Sequence, residues 1–227
     1  MIKYKIDGII IQQFVWNVVD SNSYLLIEKS HGLLIDAIDD QELYREIERL
    51  DSLTIILTHA HFDHIVGLNT IRIIKPDAKV VSTRLCSECL GNTNKNMSSV
   101  ATAFLAFYSG NNEISFDPFK CDPSEITFDR KYEFNWCGHR VKVSAFHGHS
   151  ADSLVVIVDK KIMFSGDTIL PIPTVTRFPT GSTQRFREED LPELILLNQS
   201  ILTFPGHGSP GQLGDMIAVN KEKYRME

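Results

Sequence analysis

The chain predicts an α+β fold, an αββα sandwich with two sheets packed face to face and helices outside. Three observations lead there. Short runs rich in β-branched residues alternate with amphipathic helical stretches in both halves of the sequence. Four apolar runs end in turn or polar residues that include a histidine or an aspartate. The 227 residues, 43% of them hydrophobic, suffice for one sizeable core.

Early strands are expected over Ile9 to Trp16, Asn22 to Glu28, Gly32 to Ile35 and Leu53 to Leu57. Before the last of these, Gln41 to Leu50 carries apolar residues at spacings of three and four, which predicts a helix capped by Asp39 or Asp40. A second helix is expected from near Asp63 to Ile74, stopped by Pro76. In the later half, Val141 to Ala145 alternates as a strand, and Leu154 to Val158 and Ile201 to Phe204 are apolar runs. Helices are expected near Glu188 to Leu197 and Gly214 to Tyr224. The organisation predicted is a single domain over 1–227, two similar halves folded together, with a partly helical insert near 83–129.

The chemistry concentrates where strands end. His59-Ala60-His61-Phe62-Asp63-His64 directly follows Leu53 to Thr58, delivering three imidazoles and a carboxylate to a strand's C-terminal edge, where α/β folds commonly place sites. Phe146-His147-Gly148-His149-Ser150 follows Val141 to Ala145. Met163-Phe164-Ser165-Gly166-Asp167-Thr168 follows Leu154 to Val158, and Pro205-Gly206-His207-Gly208 follows Ile201 to Phe204. Neutral imidazoles and carboxylates suit zinc, manganese or iron, and no thiolate is needed.

The set H-x-H-x-D-H, G-H-S, S-G-D-T and P-G-H-G resembles the metallo-β-lactamase-fold superfamily, most closely the small hydrolases that include glyoxalase II. The likeness runs from Asn22-Ser23-Tyr24 to Asn220, and the fold it implies is the four-layer metallo-β-lactamase-like sandwich. By matching position, His59, His61 and His149 would bind one metal, Asp63, His64 and His207 a second, and Asp167 would bridge them. The resemblance places the catalytic positions at Asp63 and Asp167. The cofactors implied are two divalent metal ions, zinc first, with manganese or iron as alternatives. Two cations about 3.5–4 Å apart share one water and lower its pKa, so the attacking species implied is a bridging hydroxide and no protein nucleophile is called for. Asp36 matches the family's strand-end aspartate and would accept a hydrogen bond from a ligand histidine; as a bland alternative it is a turn or cap residue. Ile38 stands where the family often has glycine, a departure that bears on the local loop.

His147 reads as a second contact behind the ligands or a pocket-wall residue, while His31 and His139 read as solvated turn residues. Between His64 and His149 lie 84 residues, more than small glyoxalase-like members carry, and the excess near Thr83 to Asp129 holds an expected helix, Ser98 to Tyr108. Phe104, Phe107 and Tyr108 would make that insert a substrate lid, a dimer surface or simply a helix packed on the core. Ile169 to Arg187, with Arg177, Arg185 and Arg187, would clamp an anion or form a solvated turn. Tyr24 is read as a packing residue.

The formal charge of −6 argues against a broad nucleic-acid footprint. The N-terminus lacks a signal-peptide pattern and no apolar run approaches membrane-spanning length, so a cytoplasmic location is expected, with Cys86, Cys89, Cys121 and Cys137 as reduced thiols. The expected partner is a small-molecule substrate, with no nucleic acid and no membrane; a homodimer is left open. Lactamase activity is disfavoured because the resembling enzymes carry cysteine or serine where Asp167 stands and are exported. Only 20 residues follow His207, so the glutathione-binding helical domain of glyoxalase II is expected to be missing. The leading expectation is therefore a dinuclear metallohydrolase of a small ester-like substrate, thioester or lactone before phosphodiester. The alternative is a mononuclear iron dioxygenase acting on a persulfide, and Asp63, His64 and His207 weigh against it because they complete a second site.

Overall fold

The computed structural model describes residues 1–111 and 113–225. Residue 112, inside the expected insert, lies outside the described residues. The chain divides into two compact units, 1–127 and 128–227.

The first unit carries a seven-stranded sheet in simple sequence order: β1 (Ile2–Ile6), β2 (Ile9–Trp16), β3 (Ser21–Glu28), β4 (His31–Ile35), β5 (Ser52–Ile56), β6 (Lys79–Thr83) and β7 (Ile126–Phe128). Strands β1 to β4 pair antiparallel, and β4, β5 and β6 pair parallel. The expected early strands are all present, within a residue at each end. Buried on both faces, β4 and β5 are the near-continuous apolar runs that parallel strands require. Their crossover is α1 (Gln41–Glu48), which buries Leu43, Tyr44 and Ile47. Asp40 caps it, its carboxylate accepting from the N–H groups of Glu42 and Leu43 at 2.8 Å each. Asp39, the other capping candidate, instead accepts from the Tyr44 hydroxyl.

The helix expected over Asp63 to Ile74 is two helices, α2 (Phe62–Ile65) and α3 (Leu68–Ile74). Gly67 explains the break. A Cβ there would lie 2.1 Å from the Ile38 carbonyl oxygen, and the Gly67 N–H bonds Ala37 O at 2.7 Å. The backbone of the 36–38 turn occupies the space that a continuous helix with side chains would need, and periodicity does not report such an approach.

The 83–129 stretch contains α4 (Arg84–Leu90), a single 3₁₀ turn (Ser98–Val100) and α5 (Ala101–Ser109), so the expected helix from Ser98 is present. Helix α5 buries Ala101 and Leu105 and sets Phe104 against Phe62, with ring centroids 5.9 Å apart. Trp16 and Phe116 complete this aromatic cluster around Phe62, and Phe107 stands out in solvent, 91% exposed. None of the four cysteines forms a disulfide, and burial pushes the Cys121 thiol up to about 12, where it stays protonated.

The second unit carries a six-stranded sheet, ordered β13-β12-β11-β10-β9-β8: β8 (Lys131–Trp136), β9 (His139–Ala145), β10 (Leu154–Val158), β11 (Ile162–Gly166), β12 (Leu202–Pro205) and β13 (Gly211–Gln212). All neighbours pair antiparallel except β11 with β12. One apolar cluster, including Phe146, Met163, Phe186, Leu194 and Met216, ties the sheet to its helices. The helix expected over Glu188 to Leu197 begins earlier and is irregular. A short turn α6 (Thr183–Arg185) runs into one π-helical turn (Phe186–Asp190) and then α7 (Leu191–Ile195). Pro192 lacks the N–H that a regular helix would bond, which fits the wider turn before it. The last helix, α8 (Leu213–Tyr224), matches expectation. Among the described residues no helix is long and apolar enough to cross a membrane. The fold is thus α+β, two mixed sheets with helices, as expected.

Candidate metal centre

All seven expected ligands, His59, His61, Asp63, His64, His149, Asp167 and His207, are among the described residues that could hold a metal ion. Each unit presents its own share.

In the first unit, β5 ends at Ile56 and the candidate ligands begin three residues on, at His59; His61 is the N-cap of α2, whose first turn holds Asp63 and His64. The rings crowd together, with the His59 centroid 4.5 Å from His61 and 4.2 Å from His64. Behind them stands Asp36, fully buried and in left-handed backbone (φ 60°), a conformation that aspartate tolerates better than most residues. Its carboxylate accepts from the Thr58 N–H (2.7 Å), the Thr58 hydroxyl (2.8 Å) and His64 Nδ1 (2.9 Å). Burial pushes the Asp36 carboxyl above its usual range, while His64 and the Thr58 donors pull it back down.

The proton bookkeeping here fixes two tautomers. Asp36 accepts from His64, so His64 Nδ1 carries a hydrogen. The Thr58 hydroxyl gives its single hydrogen to Asp36 and so acts as acceptor towards His59 Nδ1, 3.1 Å away. Both rings therefore keep the Nε2 lone pair for a ligand role, the arrangement that metal-binding histidines need. Asp36 thus does more than expected: it orients one candidate ligand directly and a second through Thr58.

Two serines of β3 hold the backbone of the same loops, Ser21 Oγ on the Asp63 carbonyl (3.0 Å) and Ser23 Oγ on the Asp36 carbonyl (2.7 Å). The sequence reading missed both serines and Thr58. The available signal was three successive polar residues, Ser21-Asn22-Ser23, opening a strand that is buried over its first six residues. Tyr24, next to them, is buried, in keeping with a packing role.

In the second unit the candidate ligands come from three separate elements. His149 lies in the 146–153 loop between β9 and β10, and its Nδ1 gives a hydrogen to the Val175 carbonyl at 2.7 Å. Asp167 follows β11 at a bulge: the β11–β12 register shifts between Phe164 and Gly166, and Gly166 takes a positive φ of 47°. His207 follows β12, whose exit is tied by the Gly206 N–H to Gly166 O at 2.8 Å. Asp167 Oδ2 lies 3.6 Å from the Nε2 atoms of both His149 and His207. That is long for a hydrogen bond. It is close to the spacing of about 3.4 Å expected between two donors bound tetrahedrally to one ion at about 2.1 Å. By donor chemistry and spacing, the residues fit a divalent metal ion.

Asp190, at the end of the π-helical turn, was not singled out from sequence. Buried, it accepts from the N–H groups of His147 (3.1 Å) and Gly148 (2.6 Å), pinning the backbone immediately before His149. Burial raises its pKa and these two donors oppose the rise. His147 itself gives Nδ1 to the Ala151 carbonyl and belongs to none of the candidate ligand groups among the described residues, which suits a role other than ligation.

The two remaining histidines are not simply solvated turn residues. His31 opens β4 and bonds Ser52 through Nδ1, and His139 opens β9 with Nδ1 2.6 Å from Asp159. A neighbouring strand or turn supplies the partner, which local sequence does not show. Arg177, Arg185 and Arg187 are exposed.

The profile of the metallo-beta-lactamase superfamily matches residues 16–207. A hydroxyacylglutathione hydrolase of Francisella tularensis subsp. novicida is 36% identical over 70 residues, 30% of this chain and 27% of that protein. The chain thus spans about a quarter of that relative's length. A probable metallo-hydrolase of Streptococcus pyogenes serotype M6 is 25% identical over 205 residues, 85% of this chain and 81% of that one. Among solved structures, the BLEG-1 B3 metallo-beta-lactamase superposes with a TM-score of 0.73 at 21% identity, covering 92% of this chain and 97% of that chain. At that identity the likeness speaks for the fold. The expectation of a metal-dependent hydrolase accords with the relatives' names, and the matched span contains all seven candidate ligands together with Asp36. The chain belongs to the metallo-beta-lactamase superfamily.

Proposed function

We propose that the protein is a dinuclear metal-dependent hydrolase of a small ester-like substrate, a thioester or lactone before a phosphodiester, with zinc as the native metal. The observation that carries this reading is tautomer control: His59, His64 and His149 each have Nδ1 committed to an acceptor, so their Nε2 lone pairs are reserved for ligation. In this reading His59, His61 and His149 hold one ion, Asp63, His64 and His207 the other, and Asp167 serves both. When bound, the metals would supply an acidified water and polarise the carbonyl under attack. The chain contributes orientation. Asp36 and Thr58 keep two ligand rings from turning, the Val175 carbonyl keeps a third, and Asp63 and Asp167 add the negative charge that two cations require. The hydrolase names of the relatives support the reaction class, and the hydroxyacylglutathione hydrolase match supports placing thioesters first.

Elemental analysis of gently purified protein, with neither metal nor chelator added, tests the reading alongside an ester, thioester and phosphodiester panel. Two zinc ions per chain and turnover of thioesters or lactones are expected. A single iron per chain with oxygen-dependent oxidation of a persulfide would overturn it in favour of the dioxygenase alternative.

A further inference from the structure

What holds His149 leads away from the ligands and into the C-terminal helix. A carbonyl can only accept, so the orientation of the His149 ring depends on where the Val175 oxygen stands. Val175 lies in a strap, 169–182, that has neither helix nor strand, and its own side chain is exposed. A strap of that kind needs anchors to keep one carbonyl in place.

The anchors come from α8. Asn220 is fully buried, and its Oδ1 accepts from the Thr174 N–H at 2.8 Å. Its Nδ2 donates to Leu170 O (3.2 Å) and Met216 O (2.9 Å), with Ile172 O at 3.5 Å. One helical turn later the Tyr224 hydroxyl donates to Thr174 O and lies 3.3 Å from Thr176 Oγ1. Both neighbours of Val175 are therefore tied to the same face of α8. The far end of the strap is closed on the ligand itself, since a Cβ on Gly181 would lie 2.5 Å from His149 O and 2.7 Å from Thr176 O. A buried asparagine is costly unless its polar atoms are satisfied, and here, apart from the bond to Met216 O on its own helix, the bonds all fix strap backbone that leads to Val175.

We propose that Asn220, backed by Tyr224, is a positioning residue for the metal centre: it holds the strap so that the Val175 carbonyl keeps His149 in the Nδ1–H tautomer with Nε2 facing the ion. The proposal rests on the reading of His149 as a metal ligand. It assigns the C-terminal helix a part in metal binding although α8 supplies no ligand.

The test uses full-length protein carrying ¹⁵N-labelled histidine, with Asn220→Ala compared against Ile217→Ala. Ile217 lies on the same helix in the apolar cluster, so its truncation loosens α8 without removing the Asn220 bonds. In metal-free wild type, NMR should show the His149 Nδ1 hydrogen in slow exchange. Asn220→Ala should lose that protection, and calorimetric titration with zinc should show one site weakened about tenfold to a hundredfold. Ile217→Ala should lower Tm at least as far yet keep both the signal and the affinity. The proposal falls if Asn220→Ala lowers Tm alone, or if Ile217→Ala loses signal and affinity equally. Wild type that takes up no zinc would instead sink the ligand reading itself, and the tautomer signal would still report whether α8 governs His149.

Discussion

The two units hold their histidines by different means. In the first, the candidate ligands are contiguous in sequence and oriented by side chains: one carboxylate, Asp36, serves His64 directly and His59 through Thr58. In the second, His149, Asp167 and His207 come from three loops, and His149 is oriented by a backbone carbonyl that distant side chains keep in place. A side-chain scaffold concentrates the load on one residue. A backbone scaffold spreads it over a strap, a π-helical turn and a helix. The first should fail abruptly when its one residue is removed, and the second should fail by degrees.

The largest effect is expected from Asp36→Ala. It removes the acceptor of three bonds inside the fold and leaves the His64 ring, the Thr58 hydroxyl and the Thr58 N–H to find new partners. Losing one partner of a buried charged network typically costs about 3–5 kcal/mol. Loss of the orienting bond alone should lower metal affinity about tenfold to a hundredfold. Urea unfolding and zinc calorimetry measure the two losses. If Asp36→Ala bound zinc as wild type does, the single-residue account of the first unit would be broken.

The middle effect sharpens the second half of the comparison. Gly148 faces the π-helical turn so closely that a Cβ would stand 2.6 Å from Asp190 Oδ2 and 2.7 Å from Phe186 Cα. The Phe186 backbone cannot yield as a side-chain end can, so in Gly148→Ala the loop before His149 must move. Overpacking of this kind costs about 1–3 kcal/mol. The same denaturation and titration series should show a partial loss of zinc affinity, smaller than that of Asp36→Ala, because Val175 still holds the ring. A loss equal to that of Asp36→Ala would mean that the second unit is no more distributed than the first.

The same contrast explains what could be read from the sequence. His59 to His64 announce themselves because ligand and scaffold share a short stretch, and Asp36 sits at the end of an apolar strand where a carboxylate needs a reason. The strand runs and the cap at Asp40 follow from periodicity and local hydrogen bonding, which are local physics. Val175 could not be found in this way. Every residue has a carbonyl, and nothing in Pro173-Thr174-Val175-Thr176 marks one of them as an acceptor for a histidine 26 positions earlier. Asn220 was in plain sight as a polar residue on a helix, where solvent is the default partner; only the fold shows that it is buried against the strap. The break at Gly67 is of the same kind, since it is imposed by the Ile38 carbonyl rather than by helix propensity.

The smallest expected effect supplies a control for the carboxylate device, at a place with no ligand to orient. Glu125 accepts from the Val80 N–H at 2.8 Å and from Arg72 at 2.6 Å, clasping the chain just before β7 to β6 and α3. Burial works to raise its pKa, but the Val80 and Arg72 hydrogen bonds outweigh it and hold the carboxyl below its ordinary value of 4.5. A carboxyl with a lowered folded-state pKa contributes stability that is present above the unfolded value and is lost as pH falls through the folded one. Wild type should therefore lose this contribution on acidification below about pH 4.5, and Glu125→Gln should show a correspondingly shallower fall in Tm there while losing some stability at neutral pH. The pair is partly exposed, so the effect should be modest and weaken with added salt. Zinc affinity at neutral pH should not change, because the hydrogen-bond partners of Glu125 are Arg72 and the Val80 N–H rather than a histidine. A zinc-binding defect in Glu125→Gln would show that clasping the sheet anywhere in the first unit tunes the ligands, and the special place given to Asp36 would go with it.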